Sequence, residues 1–148
     1  MDILIKPSAI FALIKSSPLL FGSASILYIA NRYYAGLIWL SLACLLFAAY
    51  RYLYIRSVIY LVTEQYIRIS RGILFKQIDT VELFRVKDYV ITEPFLLQIF
   101  RLMDVHLKTT DSENPVIWLR GIPHSDIIEV IRERVLQTRQ HNRIFEIN

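Results

Sequence analysis

One cysteine, four glycines and three histidines are all that this 148-residue chain offers for staples, phosphate loops and metal sites. A lone thiol, Cys44, forms no intrachain disulfide, so nothing points to an oxidising compartment. Its place within an apolar run reads as that of a small hydrophobe. His106, His124 and His141 have no H-x-x-x-H or cysteine-partner spacing, which argues against a metal site. No G-x-S-x-G, Walker-type or G-x-G-x-x-G stretch occurs, and four glycines leave little material for a phosphate cradle. Basic excess is also missing from most of the chain. The net charge of +4 resides in residues 1–56, with five basic side chains against one acid, whereas residues 57–148 balance twelve against twelve. That neutral part lacks the phosphate-neutralising surface a nucleic-acid domain needs. No catalytic residue, cofactor, metal or nucleic-acid partner is expected.

What the chain has instead is apolar length. Its hydrophobic fraction is 55%, and Tyr33 to Tyr50 (YYAGLIWLSLACLLFAAY) carries no charge before Arg51 and Arg56. Eighteen helical residues at about 1.5 Å each nearly cross a hydrocarbon layer of roughly 30 Å. A second apolar stretch precedes it, interrupted by Lys15-Ser16-Ser17-Pro18. A lysine deep in hydrocarbon costs roughly 2.5 to 3.5 kcal/mol. The expected span therefore starts near Ser16, with Pro18 in its first turn, and residues 7–15 form a separate interfacial helix. Transmembrane helices at about 16–32 and 34–55 then make an antiparallel hairpin within residues 1–56.

The flanks support that reading. Tyr28, Tyr33 and Tyr34 cluster at the hairpin turn, and Tyr50, Tyr52 and Tyr54 at the opposite side, as the two aromatic belts of a bilayer-spanning hairpin. A buried soluble hairpin would leave those belts unexplained. Lys15, Arg51 and Arg56 join the tyrosines as interface anchors, with Arg32 snorkelling at the turn. By the positive-inside rule both termini face the cytoplasm. The interrupted first stretch lacks an A-x-A-like cleavage site, so a retained anchor is expected rather than a signal peptide.

After Ser57 the pattern becomes one of short β segments. Val58 to Thr63, Tyr66 to Ser70, one or two strands within Ile73 to Leu83, Val86 to Thr92, Val105 to Thr109 and Val116 to Leu119 are the expected strands. Ile78, Val81 and Leu83 are the expected core positions of the third group. Phe95 to Leu102 reads as one or two helical turns, Asp111 to Pro115 as a turn, and Gly121-Ile-Pro123 as a strand breaker. Asp126 to Gln140 reads as a helix burying Ile127, Ile128, Ile131 and Val135. Residues 57–140 form the extramembrane domain, and 141–148 read as a mobile tail whose Ile144, Phe145 and Ile147 could bind something. Asp79, Glu82, Asp88 and Glu93 lie beside Lys76, Arg85 and Lys87, which fits cross-strand charge pairing rather than an acid–base pair.

Three segments carry a resemblance: T-E-x-x-I-R-I-x-R-G-I-L at Thr63 to Leu74, E-L-x-R-V-K-D at Glu82 to Asp88, and L-L-x-I-F-R-L at Leu96 to Leu102, followed later by R-G-I-P and a terminal helix. In that order, directly after a membrane hairpin, they resemble the membrane-anchored bacterial PH (pleckstrin-homology-like) domain family. The resemblance covers essentially the whole chain. It implies an α+β membrane protein: a transmembrane hairpin, then a seven-stranded antiparallel sandwich or partly open barrel with a C-terminal helix. One departure is Met103-Asp104, where a glycine-containing turn is expected.

PH-like folds serve mostly as docking scaffolds. Phosphoinositide-binding PH domains resemble one another in a basic loop between their first two strands. Thr63-Glu64-Gln65 stands there in this reading and carries no lysine. Arg68, Arg71 and Lys76 remain as headgroup contacts, each contributing on the order of 1 kcal/mol near an anionic surface. The expected function is a docking or assembly subunit at the bacterial inner membrane, with a protein partner or further copies of itself. A lipid- or peptide-sensing protein of envelope defence is the alternative, and an accessory subunit of a larger membrane complex is a third reading.

Overall fold

The computed structural model describes residues 2–141. Its elements run β1 (Ile3–Ile5), α1 (Ala9–Arg32), α2 (Leu37–Arg56), β2 (Ile59–Val62), β3 (Tyr66–Arg71) and β4 (Gln77–Glu82). A short 3-10 turn (Leu83–Arg85) leads to β5 (Val86–Thr92), α3 (Phe95–Ile99), β6 (Leu102–Thr109), β7 (Val116–Pro123) and α4 (Ile127–His141). Two antiparallel sheets, ordered β1-β2-β3-β4 and β5-β6-β7, form a split sandwich rather than a closed barrel. Ile127 and Ile131 of α4 complete a core that includes Val62, Ile67, Val105, Leu107 and Leu119. Residues 142–148, including Ile144, Phe145 and Ile147, lie outside the described residues.

Strand β1 is absent from the sequence reading. Three residues between Asp2 and Lys6 are too few to show alternation, yet Ile3, Leu4 and Ile5 pair with Val62, Leu61 and Tyr60. The two long helices are therefore inserted between the first and second strands. Thr63 to Gln65 joins the second and third strands, not the first two. The extramembrane unit draws on residues before the hairpin as well as on 57–140.

Helix α1 is unbroken from Ala9 to Arg32, which corrects the expected division at residue 16. Pro18 sits inside it and leaves the Ile14 carbonyl without its usual donor. The Ser17 hydroxyl donates to that oxygen at 2.8 Å, and Ser16 donates to the Ala12 carbonyl at 2.7 Å. Serine hydroxyls of this kind let proline continue a helix. The first turns of α1 do not lie free on a surface. Phe11 is buried with Leu97 and Leu102, and Ile14 and Ile55 pack against the three. Gly121 permits this contact: at φ +61°, a Cβ there would meet the Phe11 ring at 2.1 Å. Here R-G-I-P is a continuation of β7, not its end.

Small side chains make the seam of the hairpin. Ser16, Ser23 and Ala30 recur every seven residues on the buried face of α1, facing Ser41 and Ala48 of α2. The Ser41 hydroxyl donates across the seam to the Ser23 carbonyl at 2.8 Å. Such spacing of small residues lets the two backbones approach closely. Leucines and aromatics point outward instead: Phe21 is 74% exposed, Trp39 76% and Leu46 63%.

Two further expectations change with the register. Ile78 lies opposite Ser70 and is 59% exposed, because Asp79 and Val81 take the inward positions of β4. The strand expected to start at Val105 starts at Leu102, with a bulge at Asp104 whose Oδ1 accepts the Gly121 N–H at 2.6 Å. Arg101, at φ 52°, occupies the left-handed turn position where glycine was expected nearby.

Candidate functional site

Strand register fixes which end of the sandwich faces the hairpin. β1 ends just before α1, and β2 begins just after α2. Ile59 pairs with Ser70 and Arg71 with Gln77, so the β3–β4 loop lies at that helix-facing end. In the second sheet the Ser8 N–H donates to the Gly121 carbonyl at 2.9 Å, and Leu102 pairs with Pro123. The end of β7, the start of β6 and α3 lie there too. The β2–β3 and β6–β7 loops occupy the far end.

Between the base of the hairpin and the sandwich is a cleft of about 420 Å³. Lys15 of α1, Arg51 of α2, Arg71 of β3 and Arg120 of β7 border it, with Asp79 the single acid in its lining. Its walls are apolar, from Ile55, Ile67, Ile69 and Ile117. Asp79 accepts from Arg71 at 2.5 Å and from Gln77 at 3.2 Å, so it offsets one cation. The Arg120 guanidinium lies 4.3 Å from the Trp118 ring centroid, and the Lys15 ammonium 5.5 Å from that of Phe11. These cation–π contacts hold the charges at the rim. Tyr60 accepts the Arg120 backbone N–H at 3.1 Å. Burial raises its phenol above the ordinary tyrosine value, so it stays neutral. The lining has no serine, cysteine or histidine. Its chemistry suits holding an anion with an apolar body.

The expected site residues are dispersed. Tyr28, Tyr33 and Tyr34 stand at the hairpin turn, each at least two-thirds exposed. Tyr50 and Tyr54 lie one turn apart with ring centroids at 6.3 Å, and Tyr52 is partly buried. Arg56 does not reach outward alone: its guanidinium donates to the Pro7 carbonyl at 2.9 Å and ties α2 to the start of α1. Lys15 and Arg51 meet at the cleft. Arg71 joins them there, but Arg68 lies mid-strand over the Tyr66 ring, and Lys76 stands on the β3–β4 loop. The three bases named as headgroup contacts therefore share no one site. Arg120 and Trp118 escaped the sequence reading, and Asp79 figured there only as a cross-strand charge partner, because the cleft assembles from separate strands and no local spacing announces it.

Several other strand and loop charges are paired. Glu82 binds Arg85, Asp88 faces Lys108 at 3.9 Å, and Glu93 meets His124 at 3.5 Å. His106 lies against Trp118, with ring centroids 3.6 Å apart and planes tilted by 46°. Among the described residues, no group of three metal-ligating side chains converges.

A second feature is the edge of the smaller sheet. β5 pairs with β6 alone among the described residues. Tyr89 and Ile91 lie opposite Leu107 and Val105, hence on the core-facing side, yet they are 36% and 45% exposed. Val90, on the other side, is 40% exposed. The split sandwich buries Val86 at the start of this strand and leaves Lys87 to Thr92 exposed on both faces, with one ladder open.

No curated protein and no solved structure matches the chain. A family match does: it covers residues 9–139, and so takes in both long helices and the sandwich from β2 to α4. PH domains are in general non-catalytic interaction modules. With its seven antiparallel strands in two sheets, terminal helix and nearly full-length match, the chain belongs to the bacterial PH domain family.

Proposed function

We propose that this protein is a non-enzymatic docking subunit, anchored in the bacterial inner membrane by α1 and α2, that assembles through the free edge of β5. The observation that carries the assembly reading is the Tyr89 to Ile91 stretch of β5, apolar and exposed on both faces with one ladder open. Such an edge is a template for strand addition by another chain, which supplies backbone hydrogen bonds and apolar pockets together. A neutral domain is suited to this mode, because recognition then relies on shape rather than charge.

Membrane anchoring is supported by two helices long and apolar enough to span a bilayer, and by their inverted seam. A 24-residue helix measures about 36 Å. Its first turns are held against the sandwich, which leaves a length close to the hydrocarbon thickness of roughly 30 Å. Lys15, Arg51 and Arg56 sit at the sandwich end and Arg32 at the turn, so the positive-inside rule puts the sandwich and both termini in the cytoplasm.

The test is native mass spectrometry of the full-length protein released from lipid nanodiscs. Assemblies are expected, and a Tyr89→Lys, Ile91→Lys double variant should reduce them to monomers. A monomeric wild type, or assemblies indifferent to the variant, would refute the assembly reading.

The cleft favours a second reading, a lipid- or peptide-sensing role. Four cations against one acid, above apolar walls, fit an anionic amphiphile. In the same spectra an anionic lipid should remain bound and be lost in an Arg51→Gln, Arg120→Gln variant. Spectra free of lipid in the wild type would rule this reading out.

A further inference from the structure

We infer that the helix-facing end of the sandwich is itself a lipid-docking surface, with the β3–β4 loop and α3 seated in the bilayer interface on either side of the hairpin. This rests on the membrane anchoring proposed above and extends it from the helices to the domain. Leu74 and Phe75 at the tip of the β3–β4 loop are 83% and 91% exposed. On α3 and at its C-terminal cap, Phe95, Leu96, Ile99 and Phe100 are 75%, 53%, 57% and 44% exposed, while Leu97 packs inward against Phe11.

Pairing register places both features at the end from which the hairpin leaves, although they belong to different sheets. The opposite end differs in chemistry: its loops carry Thr63, Glu64 and Gln65, and Asp111, Ser112 and Glu113. Scattered exposed apolar residues are ordinary on a protein surface. Six large ones grouped in two features at the end beside two lipid-length helices are a patch with a direction. Gly72 shapes the loop: at φ +114°, a Cβ would meet the Phe75 carbonyl at 1.9 Å, so the chain turns tightly there before presenting Leu74 and Phe75. Lys76 follows at the base of the tip, where an ammonium can reach headgroup phosphates while the tip enters the acyl boundary. The hairpin would then fix the domain's location and the two apolar features its tilt. That tilt leaves the far end facing the aqueous phase.

Fluorescence quenching by lipids brominated on their acyl chains tests this in the full-length chain, reconstituted in phosphatidylcholine–phosphatidylglycerol nanodiscs. In a Cys44→Ser background, single labels go on Lys76→Cys and Gln98→Cys, which leave the apolar side chains in place. Leu46→Cys serves as the hairpin control and Glu113→Cys as the far-end control. Quenching at positions 76 and 98 should exceed that at 113 several-fold, and Leu74→Asp with Phe75→Asp should abolish it at 76. Quenching at 46 with none at 76 and 98 would overturn the inference while leaving the hairpin in lipid. No quenching at 46 would overturn the anchoring reading, and this inference with it.

Discussion

The helical hairpin and the β sandwich bury opposite kinds of residue. Inside the hairpin are Ser16, Ser23, Ala30, Ser41 and Ala48, with leucine and aromatics outside. Inside the sandwich are valine, leucine and isoleucine, with Arg68, Glu82, Asp88 and Lys108 outside. A core forms from whatever the solvent rejects. Water rejects the side chains of Leu107 and Leu119, whereas lipid tails are as apolar as leucine and leave close backbone packing as the attraction. The two regions thus pack by opposite rules, the contrast expected of a lipid-solvated hairpin beside a water-solvated domain.

The largest expected effect contrasts like substitutions in the two regions. Leu119→Ala empties a fully buried position and should cost about 2–5 kcal/mol of sandwich stability. Leu46→Ala, on an outward hairpin position, should cost under about 0.5 kcal/mol. Denaturant unfolding of the full-length protein in nanodiscs reads both, and equal losses would erase the contrast. Ala48→Leu sharpens it from the other side. Enlarging the seam should destabilise helix packing by about 1–3 kcal/mol, although it makes the helix more apolar. Förster transfer between labels on α1 and α2 would report the separation.

Most of the fold is legible in sequence, for a physical reason. Long apolar runs and period-2 alternation survive in any context, so α2, β3 and the α4 stripe stand close to where their patterns place them, and α1 ends where its run does. Short or competing signals do not. β1 is three residues long and becomes a strand only because β2 offers it a ladder. Lys15 and Pro18 look like a helix boundary until the sandwich shelters the first turns and Ser17 supplies the hydrogen bond that proline lacks. The cleft was the least legible, since alternate residues of β7 and β4 meet helix bases only through the tertiary fold. Ile78 was misplaced by reading a spacing where register decides.

Two smaller effects refine the boundary. Arg101→Gly relieves a left-handed backbone position at the α3–β6 turn and should stabilise the sandwich by about 1 kcal/mol in the same denaturant titration. Unchanged or lower stability would mean that the turn holds Arg101 without strain. Ser41→Ala removes the hydrogen bond across the seam. The expected loss is about 0.6 kcal/mol, the modest average for such bonds in membranes. A loss of several kcal/mol would show that the seam rests on polar contact rather than on small-residue packing.

The central claim, that lipid is the solvent of the hairpin, is tested most directly by washing membranes from expressing cells in alkaline carbonate. Proteins held at the surface are stripped by this treatment, and proteins with helices through the hydrocarbon are not. The full-length chain is predicted to stay with the lipid pellet. Its recovery as folded protein in the supernatant would contradict the account.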